Sequence, residues 1–171
     1  MGKTVALIIA ERNFRDEEYQ KPKEILEKAG IIVLTASTSL GTAVGKLGMT
    51  AKPDLLIGDL ENQDLAALIF VGGGGSSQYF EDQTAHRLVR RFYEQGKIVG
   101  AICIAPVILA NAGLLKGKRA TVFPDGKADL EKNGAVYTGK PVEVDGTIIT
   151  GAGPEAAVAF GEGIVEMLKK V

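Results

Sequence analysis

Lys97-Ile98-Val99-Gly100-Ala101-Ile102-Cys103-Ile104-Ala105-Pro106-Val107-Ile108-Leu109-Ala110 is the stretch on which the fold is decided. Its first half is a continuous apolar run suited to a strand buried on both faces, and its second half reads as a helix, with the change completed within two residues of Cys103. Pro106 fits the first helical turn, where its missing N–H removes no hydrogen bond. So sharp a turn holds the sulfur over a helix N-terminus, whose amides and positive dipole end favour thiolate over thiol. The arrangement resembles a nucleophile elbow. The competing reading is a small buried hydrophobe, the usual fate of a free cysteine. Its place at the carboxyl end of a strand, where open α/β sheets build their binding crevices, favours a reactive sulfur.

Working outward, short apolar runs alternate with segments of helical periodicity, the pattern of an α/β fold with a mostly parallel sheet and helices on both faces. Strands are expected at Thr4 to Ala10, Ile31 to Ala36, Ala67 to Val71, Ile98 to Cys103 and Arg119 to Phe123, and later at Ala135 to Thr138, Val142 to Val144 and Thr147 to Thr150. Helices are expected at Glu17 to Ala29, Gln83 to Gln95, Ala105 to Ala112, Lys127 to Asn133 and Glu155 to Lys169. Asp16 is placed to cap the first helix, and Gly30, Gly96 and Gly113 follow the last turns of three of them. Asp145-Gly146, between two alternating runs, predicts a tight antiparallel hairpin near the C-terminus. Ser37 to Leu60, rich in Gly and Thr, reads as a loop or small ribbon.

The 171 residues suit one domain spanning 1–171, with no internal repeat or low-complexity linker. With 20 Lys and Arg against 21 Asp and Glu the chain is nearly neutral, which gives no electrostatic reason to expect nucleic acid or an anionic membrane as a partner. Val5 to Ala10 is too short to cross a membrane, and Met1-Gly2-Lys3-Thr4 has no signal-peptide character. One cysteine forms no internal disulfide, and one Cys with one His excludes Cys₄ and Cys₂His₂ zinc sites. A reducing, cytoplasmic setting is expected.

Three other segments follow strands and so face the same sheet edge: Glu11 to Glu18, Gly72 to Ser77, and Phe123-Pro124-Asp125. Asp16, Glu17 and Glu18 lie in a first helical turn, where acidic residues ordinarily complement the dipole. The functional alternative is a neutral carboxylic acid donating a hydrogen bond to a thiolate. Gly72-Gly73-Gly74-Gly75-Ser76-Ser77 lacks the spacing of a nucleotide-binding loop; it reads equally as a tight turn or as backbone N–H donors for an oxyanion. His86, in a charged amphipathic segment, reads as a surface residue, so a Cys–His pair would have to form across a subunit interface.

Together these segments resemble the ThiJ/PfpI superfamily, which has a flavodoxin-like three-layer fold related to class I glutamine amidotransferase domains. The resemblance runs nearly end to end. It is carried by Ala101-Ile102-Cys103-Ile104-Ala105-Pro106 with Ala112 to Lys118, and supported by Asp16-Glu17-Glu18, Gly72-Gly73, Val144-Asp145-Gly146 and Gly151-Ala152-Gly153-Pro154. It implies a nucleophilic, oxidisable Cys103, a Glu18 that hydrogen-bonds it, and Gly73 and Ile104 as backbone oxyanion donors. Protease-like members carry His where this chain has Ile104, and the parkinsonism-associated deglycase branch carries His where it has Phe123.

The resulting expectation is a glyoxalase- or deglycase-like hydrolase acting on small reactive carbonyls or their adducts. A cysteine-based oxidative-stress sensor is the alternative, and a peptidase or an inert ligand-binding domain ranks lower. The reading needs no metal and no organic cofactor. Asn13, Phe14 and Phe123 are expected to line the pocket. Family resemblance adds the expectation of a homo-oligomer.

Overall fold

The structure is a computed structural model describing residues 2–171. In chain order the elements are β1 (Thr4–Ile8), β2 (Arg12–Phe14), α1 (Asp16–Lys28), β3 (Ile32–Ser37), β4 (Ala43–Gly45), β5 (Thr50–Ala51), β6 (Leu55–Leu56), β7 (Ala67–Phe70) and α2 (Gln83–Glu94). They continue as β8 (Ile98–Ile102), α3 (Pro106–Asn111), β9 (Arg119–Ala120), α4 (Lys127–Lys132), β10 (Val136–Tyr137), β11 (Val142–Asp145), β12 (Ile148–Gly151) and α5 (Ala157–Leu168).

Side chains alternate across each central strand, and this alternation makes the layers. Val5, Leu7 and Ile9 pack on one face with Leu26 of α1 and Phe160 and Ile164 of α5. Ala6 and Ile8 pack on the other with Leu88 of α2 and Ile108 of α3. Both faces are apolar, as a sheet covered on both sides requires. The α1 and α5 helices approach closely at Gly161, where a Cβ would lie 3.0 Å from Cα of Pro22.

The main sheet runs β11-β12-β8-β7-β1-β3-β6. All neighbours are parallel except β11, which pairs antiparallel with β12. Its core, β3-β1-β7-β8-β12, has the 2-1-3-4-5 order of the flavodoxin-like fold, whose switch point lies beside β1. Asp145-Gly146 turns the β11–β12 hairpin, with Gly146 at φ 62° as a primed turn demands.

The structure departs from the sequence reading in four places. Residues 119–123 were expected as a sheet strand; only Arg119–Ala120 is extended in a ladder, and it pairs with β10 in a separate two-stranded ribbon. Beyond it the backbone turns toward other partners, with Thr121 N–H donating to Thr150 Oγ1 and Phe123 N–H to the Cys103 carbonyl. Residues 37–60 hold the small ribbon expected there, β4 with β5, but β2, too short to show periodicity, joins it parallel to β4, and β6 extends the main sheet beside β3. Asp16 does not cap α1; Arg15 occupies that position without a side-chain cap, and Asp16 is the first helical residue. His86 is buried rather than at the surface, with Nε2 2.7 Å from the Phe80 carbonyl oxygen. It shares the inner face of α2 with Ala85, Leu88, Val89 and Phe92, a stripe that the adjacent arginines obscure in the sequence. No helix among the described residues is long and apolar enough to cross a membrane.

Candidate active site

Cys103 directly follows β8 and is one of two non-glycine residues among those described with positive φ, at 66°. That conformation is costly for a residue with a Cβ, and the surroundings enforce it. The Cys103 amide donates to the Gly151 carbonyl at 2.9 Å, its carbonyl accepts from Phe123 N–H at 2.8 Å, and the Ala105 amide closes a turn onto the Ile102 carbonyl. Pro106 then opens α3. The strand-to-helix turn is thus clamped on both sides, with the Cys103 side chain nearly buried.

Glu18 reaches this cysteine from α1. It is 1% exposed, and neither carboxyl oxygen has a hydrogen-bond partner of good geometry. Gly72, just after β7, makes room for the pair: a Cβ there would overlap Oε1 of Glu18, the Ile102 carbonyl and Cβ of Cys103. Burial pushes the Glu18 carboxyl up to about 7; the facing Cys103 thiol, the Arg15 guanidinium and the Gly72 amide pull the other way, less strongly.

The expected thiolate-favouring effect of the helix N-terminus does not prevail. Burial, followed by the negative charge of Glu18, pushes the Cys103 thiol up to about 12, against the weaker pull of the Gly73 and Ile104 amides. Only six residues of α3 follow the elbow, too short a helix for its dipole to offset burial. The Glu18 contribution exists only while Glu18 is ionised. Moving the proton from sulfur to Glu18 removes it and turns the carboxyl into a donor, so the two groups titrate as one unit.

The Gly73 and Ile104 amides both face the sulfur. Gly73 has φ 96° and no space for a side chain, since a Cβ would overlap the backbone of residues 13–15. The cavity in front of Cys103 measures about 280 Å³ and is lined by Arg15, Lys46, Gly73, Gly74, Ile104, Phe123, Asp125 and Pro154. Phe123 lines it as expected. Asn13 and Phe14 do not: Phe14 is fully buried in the core, edge-on to Tyr19, and Asn13 is an exposed residue inside β2 at φ 60°, where the pairing with β4 shifts register. A β2 of three residues between Glu11 and Asp16 turns Phe14 inward and away from the cavity.

Lys46, Arg15, Asp125 and Pro154 were not singled out as pocket residues in the sequence. Arg15 is held by a bidentate ion pair with Glu17 at 2.9 and 3.0 Å, and Lys46 projects from the β4–β5 turn. Nothing in the sequence marks Lys46, because the ribbon that carries it has no strong pattern. His86, the one histidine of the chain, is buried with Nε2 against the Phe80 carbonyl and does not line the cavity in front of Cys103. No group of His, Cys, Asp and Glu suited to a metal ion is present among the described residues.

Fold and elbow together define an α/β protein whose one cysteine stands at the carboxyl edge of a flavodoxin-like sheet beside a buried carboxyl group. The chain belongs to the DJ-1/PfpI family, which it matches over residues 3–167. It is 41% identical over 169 residues to an uncharacterised protein of Methanocaldococcus jannaschii, covering 97% of this chain and 82% of that one. It is 31% identical to a protein named as a deglycase in Pyrococcus abyssi, covering 95% and 98% of the two chains. Among solved structures, a ThiJ/PfpI domain protein from Brachyspira murdochii superposes with a TM-score of 0.96 at 31% identity, covering 100% of this chain and 99% of that one.

Proposed function

We propose that the chain is a cofactor-independent enzyme that uses Cys103 to act on small reactive carbonyl compounds or their adducts. The observation that carries this reading is the buried Glu18 carboxyl, unpartnered and titrating near neutrality, against a cysteine held at a strained elbow. The deglycase names among similar proteins agree with it.

In the reacting state the proton of the pair resides on Glu18 and Cys103 is the thiolate. The sulfur lone pair forms a bond to the carbonyl carbon while the C=O π pair moves to oxygen. The Gly73 and Ile104 amides stabilise that oxyanion, and Glu18 transfers its proton to it, leaving a hemithioacetal and a carboxylate. With a 2-oxoaldehyde, the Glu18 carboxylate then takes the carbon-bound proton and returns it to the neighbouring carbon, while the hydroxyl proton passes from the oxygen of the first carbon to the carbonyl oxygen of the second. The product is a thioester, which water cleaves to a 2-hydroxy acid and the free thiol. Neither a metal nor an organic cofactor enters this scheme. The same reading takes the protein to be cytoplasmic and self-associating.

Turnover of methylglyoxal by the purified protein, lost in both Cys103→Ala and Glu18→Gln, is the expected result; no turnover of any small carbonyl by the wild-type protein would overturn the proposal. A second reading is favoured by the absence of an imidazole beside the sulfur. Here a peroxide transfers one oxygen atom to the thiolate, which becomes sulfenate as the peroxide is reduced to alcohol or water, and protonated Glu18 hydrogen-bonds the product. Intact-mass measurement after peroxide treatment separates the two: oxidation of Cys103 faster than free cysteine, stopping at a defined state, supports the sensor.

A further inference from the structure

Beside the Cys103 cavity lies a second and larger one of about 430 Å³ that the mechanism above does not use. The two share a wall. Phe123 and Pro154 line both, so that the groove begins where the reacting cavity ends. Its remaining surface is built from Pro124, Gly139, Pro141, Ala152, Gly153 and Ala156, with Glu155 as the single charged residue. The Phe123 ring lies over Gly153, where a Cβ would stand 3.5 Å from Cδ1. Phe123 is 38% exposed although it is large and apolar.

The groove is a formed feature of the fold. The Ala152 amide donates to the Pro141 carbonyl at 2.9 Å, tying its two sides together, and the Gly126 amide closes the turn after Phe123 at 2.8 Å. Prolines at 124, 141 and 154 fix the backbone on three sides. The charge at the rim of the reacting cavity points the same way: Arg15 is already paired with Glu17, and Lys46 and Asp125, of opposite sign, both line the cavity, so the net charge offered to an anionic substituent there is small.

We propose that this groove is a subsite for an apolar substituent of the substrate, an aryl or branched alkyl group attached to the carbonyl that reacts at Cys103. The inference rests on the carbonyl-directed reading of Cys103 and narrows it from small reactive carbonyls in general to those carrying such a group. Phe123 stacks on the substituent and Pro154 forms the lip between reacting centre and groove. Both are binding residues in this assignment.

The test uses two readouts. Steady-state kcat/KM is measured for phenylglyoxal and methylglyoxal, and alkylation of Cys103 is measured with N-benzyl iodoacetamide and iodoacetamide, each normalised to N-acetylcysteine. The wild-type protein is expected to favour the aryl member of each pair by about tenfold or more, the scale on which apolar pockets discriminate. Ala152→Phe, which fills the groove, is expected to lower both ratios by about tenfold, and Pro141→Gln, which makes it polar, to lower them in the same direction. The assignment is overturned if the wild-type ratios match free thiol or if both variants leave them unchanged. Absence of turnover with a preserved aryl preference in alkylation would defeat the carbonyl-directed activity and leave the subsite standing. Circular dichroism confirms that each variant is folded, and either variant alone suffices.

Discussion

The first turn of α1 has two buried ends that differ in one respect. On the ribbon side, Asp16 accepts from the Leu47 amide at 3.0 Å and from the Met49 amide at 2.8 Å, so both carboxylate oxygens are satisfied. Gly45 makes room for it, since a Cβ there would overlap the carboxyl group. On the elbow side, two residues later, Glu18 is buried more deeply and neither oxygen is satisfied. Between them Glu17 is spent on Arg15 at the surface of the cavity. Burial of a carboxyl group therefore does not by itself mark a site. An acidic residue with its lone pairs filled by backbone is a tether, whereas one buried without partners is held ready to exchange a proton.

The contrast breaks most sharply under substitution of Glu18. Glu18→Gln is expected to lower carbonyl turnover by about 10²- to 10⁴-fold, the usual contribution of a positioned proton-transfer group. Its effect on stability runs the other way. Because folding raises the Glu18 pKa from 4.5 to about 7, the folded form binds its proton more tightly, and the associated stability is lost as pH rises through that interval. Denaturant titrations of the wild-type protein from pH 4.5 to 8 should show a fall on the order of 3 kcal/mol from this group, and Glu18→Gln should flatten it. An identical slope in the variant would mean that Glu18 ionises freely in the folded chain.

Gly72→Ala tests the space between the elbow and α1. The added methyl overlaps Glu18, Ile102 and Cys103, so a loss of about 1–3 kcal/mol in unfolding free energy is expected, with slower alkylation of Cys103. Asp16→Ala tests the tether and leaves two backbone amides without their acceptor. A loss of about 1–2 kcal/mol in the same measurement is expected, while the pH midpoint of Cys103 alkylation stays where it is. A shifted midpoint would join Asp16 to the proton-sharing pair and erase the distinction. The smallest effect belongs to Asn13, exposed at φ 60°: Asn13→Gly should change stability by less than about 0.5 kcal/mol, since glycine adopts that backbone without strain.

Much of this was legible in the chain. The apolar run Ile98 to Ile102 followed by Pro106 specifies strand, sharp turn and helix through local sterics alone, and the hairpin at Asp145-Gly146 is equally local. Gly72-Gly73 marked a close approach of backbone, though not that Glu18 and Cys103 were what approached. Three residues misled. Phe14, an aromatic near a strand end, turned into the core because β2 is a short strand paired with β4; His86 lay among arginines yet on the inner face of its helix; Asp16 held the ribbon rather than the helix it begins. Each of these outcomes depends on a neighbour far away in the sequence.

By itself, then, the sequence determined the order of strands and helices, the parallel sheet covered on both faces, and the elbow at Cys103, because periodicity, turn chemistry and propensity act over a few residues. The tertiary structure decided that Glu18, the acid the family resemblance points to, meets that sulfur buried and with its oxygens unfilled, that burial raises the thiol rather than the helix end lowering it, and that a second groove opens behind Phe123. Desolvation and the satisfaction of lone pairs depend on everything that packs around a group, and α1, β7, β8 and the β4–β5 ribbon come together only in the folded chain.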